Sequence, residues 1–339
     1  MKVKRKDLVT GLSSVKPGLA SKDIVEANLC FMFTGKRLVT FNDQISIQYP
    51  FDSDFEGLVP SQEFLKIVSE VNCDEIELAV EEETLTIKGA GLSAELSMVK
   101  SEDSSIADSI IDPADLDWKP LPEDFLTGAE LCMFSATKDM TLEVLTCLLV
   151  KDSSIMSSDN LRVSRYEMNG EVGVGFLIPA TSIPALIKFG VTQWSLDKAW
   201  VYFKTENDIV FCSRVMTGEF PDTSGLFDVE GDKFKLPSDI KKAIEVSSIM
   251  AEGEYELDKK IDVVIEEGTI KCRGEKDVGW VETEATFAMR KGRSAQFSIN
   301  PDFFSHILDY AAMVTIGNGT ILFKTSNFSH VIALFGGQQ

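Results

Sequence analysis

The chain has 339 residues, 44% of them hydrophobic and 26% charged, an ordinary globular balance with length enough for two or three domains. No apolar run reaches the ~18 residues of a membrane span, and the basic residues 1–6 are not followed by an apolar stretch of signal-peptide length, so a cytoplasmic protein is expected. The net charge of −21 argues against a protein that coats itself in nucleic acid, because phosphate contact is made by Lys and Arg, but it allows an object acidic outside and locally basic within.

In chain order, the first element is a helix around Asp7-Leu8-Val9-Thr10-Gly11. The apolar strand Leu58-Val59-Pro60 leads into a second helix, in which Phe64, Leu65, Val68 and Val71 recur at helical spacing while Gln62, Glu63, Lys66 and Glu70 face away. Alternating strands follow, with Ile76, Leu78 and Val80 on one face, an acidic turn at Glu81-Glu82-Glu83, and Leu85-Thr86-Ile87-Lys88 returning. Residues 100–118 are polar and acidic and read as a linker. Asp124-Phe125-Leu126-Thr127-Gly128 then repeats the first helix motif.

Leu177-Ile178-Pro179 followed by A-T-S-I-P-A-L-I repeats the second motif, and residues 223–232 read as another linker. Asp239-Ile240-Lys241-Lys242-Ala243 is a looser third copy of the first motif. Ser298-Ile299-Asn300-Pro301 opens a helix with Phe303, Phe304, Ile307, Leu308 and Ala311 on one face. Ser61 and Asp302 are candidates to satisfy free N–H groups in the first turns of their helices. Gly317-Asn318-Gly319 is a hairpin turn between strands at 314–316 and 321–324.

Pro60, Pro179 and Pro301 recur at intervals of about 120 residues, and the aspartate-led motif recurs at much the same interval between them. Two interleaved series mean three domains, each of two similar halves, with borders at 1–113, 114–226 and 227–339. The expected fold is α+β: antiparallel sheets with two helices per domain on one face. Sheets of this kind can join edge to edge and close into a ring, leaving no unpaired edge.

No catalytic or metal constellation stands out. The six cysteines (30, 73, 132, 147, 212, 272) are scattered singly and read as small buried hydrophobes; with only His306 and His330 beside them, neither a zinc site nor any other cofactor is expected. Ser13-Ser14-Val15-Lys16 fits a short S-x-x-K pattern at a predicted helix end. Gly170, Gly173 and Gly175 do not form a phosphate-binding loop. A non-enzymatic protein is expected.

Residues 213–222, S-R-V-M-T-G-E-F-P-D, resemble the S-R-L-x-x-G-x-F-P-D segment of the bacterial DNA sliding clamp, the β subunit of DNA polymerase III. Ser158-Asp159-Asn160-Leu161-Arg162-Val163 is similar to that family's T-D-G-H-R-L. Phe176-Leu177-Ile178-Pro179 and Phe297-Ser298-Ile299-Asn300-Pro301 resemble its V-I-I-P and F-N-P segments, so the resemblance covers the whole chain in order. Asn160 stands for the family's Gly, Leu161 for its His and Thr223 for its Tyr. The C-terminal Ile332-Ala333-Leu334-Phe335 only loosely follows its M-P-M-R-L, a drift that fits a divergent phage or mobile-element member.

The resemblance implies a ring-shaped homodimer that encircles duplex DNA and tethers polymerase and clamp loader by short peptides. The implied peptide pocket comprises Leu145, Ser158, Asn160, Leu161, Arg162, Val163, Pro221, Leu226, Ile332, Leu334 and Phe335. The implied subunit interface sets Leu96 and Met98 against Ile249 and Met250. Cations placed to face DNA are Arg5, Lys6, Lys16, Lys22, Lys66, Lys138, Lys188, Lys241 and Lys242, a sparse set suited to sliding. The alternative is a clamp-fold scaffold that binds proteins without encircling DNA, which the sparse cations and altered C-terminus favour.

Overall fold

The computed structural model describes residues 1–22, 25–99, 111–253, 255–287 and 293–336; of the first expected linker, residues 100–110 lie outside the described residues. One pattern, strand–helix–three strands, is run through six times. It begins with β1 (Lys2–Lys4), α1 (Arg5–Val15), β2 (Cys30–Thr34), β3 (Arg37–Phe41) and β4 (Ile45–Pro50). It continues with β5 (Glu56–Pro60), α2 (Ser61–Glu70), β6 (Glu75–Glu81), β7 (Thr84–Gly89) and β8 (Leu92–Ser97). The middle third supplies β9 (Lys119–Pro120), α3 (Phe125–Met133), β10 (Cys147–Lys151), β11 (Ser154–Ser158) and β12 (Arg162–Glu167), then β13 (Phe176–Pro179), α4 (Ile183–Leu186), β14 (Val191–Leu196), β15 (Trp200–Thr205) and β16 (Val210–Arg214). The last third has β17 (Gly231–Lys235), α5 (Ile240–Ser248), β18 (Ile261–Glu266), β19 (Thr269–Lys276) and β20 (Gly279–Thr286), then β21 (Ser294–Ile299), α6 (Pro301–Ile307), β22 (Met313–Gly317), β23 (Thr320–Lys324) and β24 (Phe328–Ala333).

The chain divides into two compact units, Met1–Leu126 with Phe176–Thr217, and Thr127–Gly175 with Gly218–Gln339. Unit 1 holds the antiparallel sheets β1-β6-β7-β8 and β5-β2-β3-β4-β16-β15-β14-β9. Unit 2 holds β10-β11-β12-β24-β23-β22-β17 and β20-β19-β18-β21. The units cut the chain elsewhere than the three repeats do, because sheets run on from one third into the next: β4 pairs with β16, and β12 with β24.

The repeats are visible in individual contacts. In α1, Leu8, Leu12 and Val15 are buried at helical spacing, each fully buried aliphatic contributing about 1.5–3 kcal/mol. Gly11 of the same face has no side chain because the Tyr49 ring of β4 lies 3.2 Å from where its Cβ would be. Gly128 of α3 repeats this at 2.6 Å from Tyr166 of β12. In α5 the helix carries Ala243, and the β20 residue beside it is the slimmer Thr283, whose hydroxyl donates to the Ala243 carbonyl at 2.8 Å. One turn later Thr40 of β3 donates to the Val15 carbonyl at 2.6 Å, and Ser157 of β11 donates to that of Cys132. In the third copy Gly274 lets the Ser247 carbonyl come directly against the strand. The second halves share their own mark: Val99, Met216 and Phe335 donate N–H bonds of 2.9, 3.0 and 2.9 Å to Leu58, Leu177 and Ser298.

Several expectations are refined. The helix after Pro179 is a 3-10 turn, Ala180–Ser182, and the single turn α4, where Pro184 brings no N–H of its own. Ser61 makes no cap; Asp302 lies in the first turn of α6, but its cap is Asn300, whose side chain accepts from the N–H groups of Asp302 and Phe303 at 2.9 and 3.2 Å. The second expected linker contains the 3-10 segment Ser224–Phe227 and the start of β17. Five cysteines are buried and Cys73 is half-buried, all as free thiols, and burial pushes Cys30 up to about 11 and Cys272 to about 12. Among the described residues no helix is long and apolar enough to cross a membrane.

Candidate functional site: a sheet face in unit 2 and two open edges

The turn entering β12 is built by its own side chains. Asn160 holds a left-handed φ of +72°, which Asn tolerates better than most residues. Asp159 accepts from the N–H groups of Leu161 and Arg162 at 3.1 and 2.9 Å and from Arg162 Nε at 2.8 Å. Ser158 Oγ donates to the Arg162 carbonyl at 3.0 Å.

Alternation then sends β12 side chains to opposite faces. Arg162 points to the helix side, its guanidinium 4.0 Å from the Phe303 ring and 5.5 Å from Phe134. Burial pulls its pKa down and the Asp159 carboxylate opposes that fall. Ile332, opposite Arg162, is fully buried on the same side. So is His330, whose Nδ1 lies 2.9 Å from Ser164 Oγ, itself 2.7 Å from Ser135 Oγ. Phe134, Phe323 and Phe328 surround this network. With all three polar residues fully buried it is a structural network closed to substrate.

Val163 faces the other way. It packs with Phe227, Leu322 and Val331, and Val229 lies half-buried against them. Arg165 sits 4.2 Å above the Phe227 ring and pairs with Glu167 at 3.0 Å; Thr223 Oγ1 reaches Met156 Sδ at 3.6 Å. Leu226, next to Phe227, leaves 49% of its surface exposed, and Pro221 is exposed on the same segment. The outcome is a buried apolar strip along the β12–β24 seam, edged by one cation and by Ser158, whose backbone pairs with Val163.

Of the eleven pocket candidates, the structure thus gathers Val163, Ser158 and Leu226 at or beside this strip, and Pro221 is exposed earlier on the segment that carries Phe227. Leu161 accepts from the Ala333 N–H at 2.8 Å, and Leu334 and Phe335 are half-buried just beyond β24. Arg162 and Ile332 belong to the opposite face, and Leu145 is buried at the end of the 3-10 segment Met140–Thr146. Phe227, Val229, Leu322, Val331 and Arg165 were not among the candidates. The period-two pattern of β24, with Val331 out of phase with His330 and Ile332, is the signal that points to them.

The cation candidates sit on or beside helices. Lys6, Lys16, Lys22, Lys66, Lys138, Lys188 and Lys242 are exposed. Arg5 is half-buried and donates to the Ser69 carbonyl at 3.0 Å, tying α1 to α2, while Lys241 is paired with Asp309. The same helices expose Asp7, Glu63, Glu70, Glu130, Glu245 and Asp302, so cations do not dominate them.

Each unit also ends in an open strand. β8 is the edge of its four-stranded sheet in unit 1, and β20 is the edge of its sheet in unit 2. Leu96 and Met98 are half-buried on or beside β8. Near β20, Met250 is half-buried, whereas Ile249 is 67%, Trp280 58% and Val278 83% exposed. Arg273 lies 4.6 Å over the Trp280 ring. Among the described residues, β20 is thus an unpaired strand flanked by exposed apolar side chains.

No family model and no curated protein matches the sequence. Solved structures match its fold end to end. A putative DNA polymerase III β subunit from Eubacterium rectale superposes with a TM-score of 0.86 at 15% identity, over 99% of both chains. The DNA polymerase III subunit beta from Pseudomonas aeruginosa gives 0.85 at 15% over 99% of both. The DNA polymerase sliding clamp from Bacillus subtilis gives 0.84 at 16% over 98% of both. The chain therefore has the α+β fold of the bacterial DNA polymerase III β sliding clamps.

Proposed function

We propose that the chain is a DNA sliding clamp, a non-catalytic processivity factor of the cytoplasm. Two copies close head to tail around duplex DNA, and each holds a polymerase or clamp loader by a short peptide. The observation that carries this reading is a joint used twice and left open once. The last strand of one half pairs with the last strand of another in β4–β16 and again in β12–β24. The two last strands left over are β20 and β8, both open edges. Joining β20 of one copy to β8 of the next continues the rule, and two three-domain chains with borders at 113/114 and 226/227 then make six domains with every last strand paired. The fold likeness over whole chains supports the same reading.

DNA passes through such a ring, held by linkage more than by affinity, which suits the sparse exposed cations. The partner peptide docks at the exposed Leu226, at 49% of its surface, beside the buried unit 2 cluster of Val163, Phe227, Leu322 and Val331 that holds this segment in place. Of the other candidate pocket residues, Arg162 and Ile332 back the same strands from the opposite face and Asn160 shapes the turn into β12. The second reading, a scaffold that does not encircle DNA, is favoured by the acidic residues that share the helices with the cations.

Light scattering on eluting protein separates the two readings. A species of twice 37.4 kDa that dissociates when Leu96 is changed to Asp supports the clamp. A chain monomeric at every concentration supports the scaffold.

A further inference from the structure

The register of the closing joint is written in the two joints the chain already makes. In unit 1, Ile47 of β4 stands opposite Phe211 of β16; in unit 2, Ser164 of β12 stands opposite His330 of β24. Their counterparts on the open edges can be found independently.

On the first side, Ile47 and Ser164 are the hairpin partners of Thr40 and Ser157, the residues whose hydroxyls meet a carbonyl one turn along α1 and α3. The third copy of that contact is Gly274 against Ser247 of α5, and the hairpin partner of Gly274 is Val281. On the second side, Phe211 and His330 each lie five residues before Met216 and Phe335, which bond to the first strand of their own half. Val99 makes the same bond, and five residues before it is Ala94.

We infer that β20 of one copy pairs antiparallel with β8 of its partner with Val281 opposite Ala94, so that Gly279 meets Leu96 and Trp280 meets Glu95. This rests on the ring reading and fixes which residues touch.

Burial phase agrees with the register. Leu92, Ala94 and Leu96 are half-buried, as are Gly279, Val281 and Thr283, while Ser93, Glu95 and Ser97 share the exposed phase with Trp280, Glu282 and Glu284. A slip of one residue would bring every half-buried side chain of one strand against the exposed face of the other. Side-chain space agrees as well. A Cβ at Gly279 would lie 4.0 Å from Met250 Cε, so the bare backbone there leaves Leu96 of the partner subunit a seat on Met250. The exposed Trp280 receives Glu95 of the partner subunit beside the Arg273 guanidinium that covers its ring.

Cysteine pairs test the register in the full-length chain. Opposed residues of an antiparallel pair have Cα atoms about 4.5–5.5 Å apart, inside the range a disulfide spans, whereas a slip of two residues lies beyond it. Ala94→Cys with Val281→Cys, oxidised with diamide, is expected to run as a covalent dimer on a non-reducing gel and to form at least about tenfold faster than Ala94→Cys with Thr283→Cys. The unaltered chain, with five cysteines buried and Cys73 half-buried, serves as control. Faster linkage through Thr283 would overturn the register. A dimer by mass in which neither pair links would show that another surface mates, again overturning it. A chain that neither links nor exceeds 37.4 kDa at any concentration would instead remove the ring reading on which the inference stands.

Discussion

The pairing of Gly128 with Tyr166 predicts a mutation whose sign depends on its background. Gly128→Ala adds a methyl 2.6 Å from Tyr166 Cδ1 and 3.0 Å from Ile155 Cδ1 in a fully packed site. Overpacking of this kind costs about 1–3 kcal/mol, and the gain in helix propensity returns about 1 kcal/mol. The net loss is up to about 2 kcal/mol, a fall of up to about 8 °C for a unit of this size. Tyr166→Thr alone opens a cavity and costs about 3 kcal/mol. In that background Gly128→Ala reproduces the pair found in the third repeat, Ala243 beside Thr283. The clash is gone, and the same alanine should stabilise by about 1 kcal/mol. Calorimetric unfolding of the four proteins measures this coupling. If Gly128→Ala moves the transition in the same direction in both backgrounds, the equivalence of the repeats is wrong.

Other predictions concern the buried groups and the docking segment. His330 is fully buried with its pKa held well below 6.5 by burial, so the folded state binds fewer protons than the unfolded one. Stability of unit 2 should therefore fall as pH drops below 6.5, by up to about 1.4 kcal/mol per pH unit, and His330→Leu should flatten that slope in urea unfolding followed from pH 8 to pH 5. Asn300→Ala removes a cap that accepts two N–H bonds and donates to the Glu256 carbonyl at 2.9 Å, costing about 1–2 kcal/mol by thermal unfolding. Leu226→Asp sets a carboxylate on the exposed segment beside the buried cluster, and polymerase peptides should lose binding by about a hundredfold in titration calorimetry. Lys6→Gln with Lys66→Gln should lower the log–log salt slope of DNA binding by about one per lysine that meets phosphate.

The sequence shows best what lies close along the chain. The prolines at 60, 179 and 301 and the aspartate-led helices expose the repeats because each half needs the same strand-to-helix corner, and the Gly317-Asn318-Gly319 turn is legible because its backbone demands small residues. What lies far apart is less visible. Val163 and Val331 meet although they stand 168 positions apart, and Phe227 joins them from a stretch that reads as linker. Arg162 looks like a pocket edge because a charge in an apolar strand needs a reason; its reason is Asp159 and the Phe303 ring on the other face, and one residue of phase decides between the two. The short helix after Pro179 divides into a 3-10 turn and a single α turn, because the second proline, Pro184, sits within it.

If the chain surrounds DNA, its retention depends on the topology of the DNA it is loaded on. Protein is mixed with nicked circular plasmid under dilution, where rings open and reform, then concentrated and passed through a sizing column at salt high enough to screen phosphate contacts. A ring should travel with the circle and be lost once a restriction enzyme linearises it. Equal retention on circular and linear DNA, or none on the circle from a chain that is dimeric by mass, would contradict encirclement.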